Sequence, residues 1–81
     1  MGEPIQMKRD YETLRGTLGR NVRRLRRERK LSQEDLAFEA EIDRTYVSQI
    51  ERGVINPSLL VLWKVSRVLG VSLVTLLKQA D

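Results

Sequence analysis

Apolar residues recur along this chain at helical spacing, interrupted at short intervals by capping and turn residues. Leu18, Val22 and Leu25 fall at i, i+4 and i+7 and form one stripe, so a first helix is expected from Thr17. Residues 1–16 before it are polar and of mixed charge, with Gly2, Pro4 and Gly16. They read as an N-terminal arm, partly disordered, with a helical turn around Tyr11 to Leu14. Residues 17–79 read as one folded domain. Ser32 is the expected N-cap of a second helix, about Gln33 to Ala40, and Asp35 three residues on matches the reciprocal partner of a capping box. Leu36, Ala37 and Ala40 give its inward side. Asp43 caps a third helix, Arg44 to Arg52, with Val47 and Ile50 inward and Gly53 at the left-handed position that ends it. Asn56 is expected to cap a fourth helix with Pro57 at its first position. Its core stripe is Leu59, Leu62, Ser66 and Leu69, and Gly70 stops it. Ser72 caps a last short helix from Leu73 to about Gln79. The expected fold class is all-α, a compact five-helix domain.

Composition narrows the chemistry. With 81 residues the chain is one domain with a thin core, a size that often gains stability from a partner subunit. Hydrophobic residues at 41% and charged residues at 32% fit a folded domain. There is no cysteine and no histidine. That removes disulfides, thiolate metal sites, the commonest zinc ligand and the commonest general base near neutral pH. No catalytic constellation, metal site, cofactor or small-molecule ligand is expected. The segment MGEPIQMKRDYE has no apolar core of a signal peptide, and no apolar run approaches a membrane span. A cytoplasmic protein without membrane contact is expected.

The net charge of +4 and a pI near 10.0 suit a polyanion binder. Seven of the 15 basic residues lie between Arg20 and Lys30, with one acid, Glu28, among them. Two readings stand for this face: a solvated helix surface, or a surface part of which lies against phosphates. The fourth helix carries Leu60, Val61, Trp63 and Val68 besides its core stripe, so it is apolar on most sides, as a surface helix should not be. The last helix adds Leu73, Val74 and Leu77. Leu60, Val61, Trp63, Leu73, Val74 and Leu77 therefore form the expected interface of a homodimer. Completion of a small monomer core by Trp63 and Val68 is the alternative.

The segments LSQEDLA (31–37), YVSQIERG (46–53) and NPSL (56–59) occur in an order and spacing that resemble the lambda-repressor/Cro-like group, the XRE family. The resemblance runs from about Leu18 to Leu77. The stretch Asp43 to Ser48 looks most like small standalone members, including the controller proteins of restriction–modification systems. It implies a lambda-repressor-like domain whose second and third helices are a helix-turn-helix, the third lying in the DNA major groove. Arg44, Thr45, Ser48 and Gln49 match positions that read bases. The chemistry suits them: Arg pairs with guanine, Gln with adenine, and a Thr methyl packs on thymine. Gln33, Tyr46, Arg52 and Asn56 match positions that hold phosphates. Arg26 and Glu51 match a structural ion pair that orients the recognition helix. The expected function is a transcriptional regulator, associated with the nucleoid, that binds a palindromic operator in double-stranded DNA as a homodimer. The alternative is an antitoxin-like or other protein-interaction module on the same fold.

Overall fold

A computed structural model describes residues 4–79. Among these residues the chain forms five helices and no strand: α1 Pro4–Glu28, α2 Gln33–Ala40, α3 Arg44–Arg52, α4 Leu59–Leu69 and α5 Leu73–Leu77. No helix is long and apolar enough to cross a membrane. The core is one cluster: Leu18 and Val22 from α1, Leu36, Ala37 and Ala40 from α2, Val47 and Ile50 from α3, Val65 and Leu69 from α4, and Leu76 from α5.

α1 differs most from the sequence pattern. Its 25 residues make a rod about 37 Å long at 1.5 Å per residue, and it includes 4–16, the segment read as an arm. From Gln6 to Arg15 there is no Gly or Pro to stop a helix. Met7, Tyr11 and Leu14 continue the Leu18–Val22–Leu25 stripe at the same three- and four-residue spacing. Gly16 does not break the helix, because its backbone lies against the α3–α4 turn. A Cβ on Gly53, where φ is +70°, would sit 3.4 Å from the Gly16 Cα. Residues 1–3 of that arm lie outside the described residues.

Gly19 sets a close approach between α1 and α3. A Cβ there would fall 2.5 Å from the Glu51 carbonyl oxygen and 2.6 Å from that of Ile50. The missing side chain lets α1 lie directly on the C-terminal turn of α3. Nothing in the apolar periodicity marks this residue, because its role is to have no side chain.

Capping is local and follows the side chains. Ser32 accepts from the Asp35 amide, and the Asp35 carboxylate accepts from the Ser32 amide, which closes a capping box on α2. Asp43 accepts from the Thr45 amide at the start of α3. Ser72 does the same for the Thr75 amide in α5. The α4 cap falls two residues later than the sequence pattern placed it. Ser58, not Asn56, is the N-cap, and its hydroxyl accepts from the Val61 amide at 3.1 Å. Pro57 therefore precedes the cap. Leu59, assigned to the core stripe by pattern, is turned outward and is 72% exposed, whereas Val65, which the pattern left out of the stripe, is fully buried. α5 ends at Leu77, two residues early, where the Asn21 amide nitrogen from α1 donates to the carbonyls of Leu76 and Lys78, both at 2.8 Å.

Candidate nucleic-acid interface

α2 and α3 are joined by a turn short enough to fix the angle between them. Glu41 adopts a left-handed conformation (φ 57°), and the Ile42 amide donates back to the Ala37 carbonyl at 2.9 Å. Ala37 is buried on α2, and its small side chain allows two helices to approach closely at this point. The result brings the N-terminal ends of α2 and α3 to one surface. Gln33, Arg44, Thr45 and Ser48 line a single open cleft there. Arg44 and Thr45 are exposed; Ser48 and Gln49 are half-buried on the same side of α3, opposite Val47 and Ile50. The side chains expected to read bases thus share one face with the glutamine expected to meet a phosphate.

A buried network holds this face from behind. Arg26 of α1 donates from Nε to Glu51 Oε2 at 2.6 Å and from Nη2 to Glu51 Oε1 at 3.0 Å. Its Nη1 donates to the Leu31 carbonyl at 2.9 Å. The two side chains keep 10% and 3% of their exposure. Hydrogen bonding to Glu51 holds Arg26 above the ordinary arginine range, against the burial that acts the other way, so the guanidinium stays charged. Gln33 adds a third member, donating from Nε2 to Glu51 Oε1 at 3.1 Å. Glu51 therefore ties α1, α2 and α3 together through one carboxylate. Gln33 keeps a second amide proton and its oxygen for an outside partner.

The rim is built with the same economy. The Tyr46 hydroxyl accepts from the Ser58 amide at 3.2 Å while the ring packs on the core, which leaves the phenolic proton free to donate. The Asn56 amide oxygen accepts from Arg15 Nη1 at 3.1 Å, which leaves its NH2 group able to donate. Arg15 is itself steadied over the Tyr11 ring, 5.3 Å from its centroid. Arg52 is exposed in the last turn of α3. The sequence pattern contained no sign of the Arg15–Asn56 or Gln33–Glu51 bonds, because they join residues 41 and 18 positions apart.

The remaining candidates lie elsewhere. Arg20, Arg24 and Arg27 are exposed on α1, around the helix from the flank where Arg26 meets α3. Of the apolar residues of α4 and α5, Leu59, Leu60, Trp63 (50%) and Val74 (73%) are exposed. Val61, Leu73 and Leu77 are half-buried against the core. Arg67 lies over the Trp63 ring at 5.6 Å from its centroid. No group of acidic residues suited to a metal ion occurs among the described residues.

Comparison with known proteins bears on this arrangement. A model of a family described as helix-turn-helix matches residues 22–76. Control protein C.BamHI of Bacillus amyloliquefaciens is 48% identical over 59 residues, 72% of this chain and 73% of that protein. The crystal structure of the hypothetical transcription factor NHTF from Neisseria superposes with a TM-score of 0.79 at 41% identity, covering 82% of this chain and 76% of its own. The crystal structure of SinR, described as the master regulator for biofilm formation, in complex with DNA gives a TM-score of 0.72 at 42% identity. That alignment covers 75% of this chain and 98% of the SinR chain.

Proposed function

The chain belongs to the helix-turn-helix family of DNA-binding transcriptional regulators, which are not enzymes, and from this we propose that it binds a two-fold symmetric operator as a homodimer. α3 enters the major groove with Arg44, Thr45, Ser48 and Gln49 at base edges. Gln33, Tyr46, Arg52 and Asn56 hold the phosphates on either side, and the N-terminus of α2 adds its partial positive charge. The observation that carries this reading is the single cleft lined by Gln33, Arg44, Thr45 and Ser48, braced by the Arg26–Glu51 pair.

One helix contacts too few base pairs to select a site in a genome, so two copies are needed. Leu60, Trp63 and Val74 leave apolar surface uncovered at α4 and α5, where two copies would meet, with Val61, Leu73 and Leu77 beneath. On this reading the protein acts in the cytoplasm, at the nucleoid. Selection of bound duplexes from a random pool tests it. The expected product is a palindrome whose half-sites are centred about 10 base pairs, one helical turn, apart, or a multiple of that. Enrichment of a single half-site, or of no motif, contradicts it.

A further inference from the structure

α2 carries a phenylalanine on its outward side, largely uncovered by the described residues. Phe38 is 84% exposed, the most of any large apolar side chain described. Glu34 and Asp35 lie one turn before it and Glu39 beside it, and the helix QEDLAFEA contains no basic residue. The result is an aromatic ring in an acidic frame, on a protein whose net charge is +4.

The outward side of α1 has the opposite character. Arg20, Arg23, Arg24 and Arg27, with Glu28 at one end, line a cleft whose walls are mainly apolar stem atoms. The spacing i, i+3, i+4, i+7 is the one that forms the hole receiving a knob from a facing helix. Arg24 is paired to Glu28 at 3.3 Å on the surface, which leaves an excess of like charge at helical-neighbour spacing. A phenylalanine ring flanked by carboxylates complements such a cleft in shape, in charge and through cation–π attraction. Phe38 does not reach the cleft of its own molecule, since its ring is uncovered.

We propose that Phe38 of one molecule docks into the arginine cleft of α1 in a second copy. The two patches differ, so the contact is head-to-tail and does not close on itself. It links copies, or homodimers of copies, into a row without using the cleft at the N-termini of α2 and α3. The surface is small, so the contact is weak in solution. It gains strength where neighbouring molecules are held side by side and their effective concentration is high.

Sedimentation velocity without DNA tests this independently of the operator reading. At low ionic strength the wild-type weight-average sedimentation coefficient is expected to keep rising with concentration beyond any closed dimer, and added salt removes the rise. The pair Glu34→Arg/Glu39→Arg and the pair Arg20→Glu/Arg27→Glu are each expected to lose the rise alone. Their equimolar mixture regains it, because every contact in an alternating row is again between opposite charges. Phe38→Ala, at a fully outward position, loses it without any change of charge. A wild type that shows no rise, a Phe38→Ala protein that rises like wild type, or a mixture that does not regain the rise overturns the proposal. The second of these outcomes would leave the α2 face to a different, basic protein.

Discussion

Glu51 accepts hydrogen bonds from Arg26 on α1 and Gln33 on α2 while sitting on α3, so one carboxylate fixes three helices. Glu51→Gln keeps the shape and removes the charge. It leaves the nearly buried Arg26 guanidinium without its counter-ion, a change that costs about 3–5 kcal/mol when a buried pair is broken. A large fall in the denaturation midpoint, little altered by salt, is expected; a loss below 1 kcal/mol would mark the pair as a surface contact. Arg44 makes the contrasting case, because it is exposed and its removal costs the fold little. Arg44→Ala is expected to lower affinity for the preferred duplex by about 1–3 kcal/mol and to relax base preference at one position per half-site. Equal loss on all duplexes would reassign it to a phosphate. The residue types at 44, 45 and 49 suggest base reading from the sequence alone, and the fold sets them on one side of α3. The bonds that orient Gln33 and Asn56 were not, since they depend on partners brought together only by the fold.

At the level of elements, the ends were legible where one side chain decides them. Ser32, Asp43, Gly53, Gly70 and Ser72 each cap through a bond to a backbone group within a few residues, and sequence spacing suffices for that. The start of α4 was misread because Asn56–Pro57 and Ser58 offer competing local signals, and burial of Val65 rather than Leu59 decides between them. The start of α1 was misread because Gly16 looks like a break until the turn at Gly53 is seen to lie against it. The capping box also carries a pH dependence. Hydrogen bonds from the Ser32 backbone amide and then its hydroxyl hold the Asp35 carboxyl below the ordinary carboxylate range. Its folded value is thus lower than its unfolded value. The carboxylate's stabilising effect is complete above that unfolded value and is lost as pH falls through the folded one. Asp35→Asn is expected to lower the melting temperature at neutral pH and to flatten its decline in acid. Parallel acid limbs for the two proteins would contradict this.

Across the whole molecule, the basic surface, the open cleft and the uncovered apolar residues divide the work. On the proposed function, the cleft at the N-termini of α2 and α3 faces DNA, and the exposed side of α4 and α5 meets a second copy. Trp63→Glu puts a charge at the centre of that apolar side, on a half-exposed residue whose loss leaves the core intact. It is expected to shift the protein toward monomer in sedimentation and to weaken operator binding, with far-ultraviolet circular dichroism unchanged. A variant that remains dimeric would place the interface elsewhere. The five-helix architecture was legible because each helix announces its apolar stripe. The close seating of α1 on α3 was not, because it depends on an absent side chain at Gly19.

Sequence-specific reading of DNA by α3 is what separates the proposed regulator from a basic domain that binds any duplex. Fluorescence anisotropy with two duplexes of equal length, one carrying the palindrome recovered by selection and the other the same bases scrambled, tests it most directly across a salt series. A preference of about 10³-fold or more for the palindrome is expected near physiological salt, with both affinities falling as salt rises. Equal and equally salt-dependent binding to both duplexes would contradict it, and would leave only a basic surface attracted to phosphate.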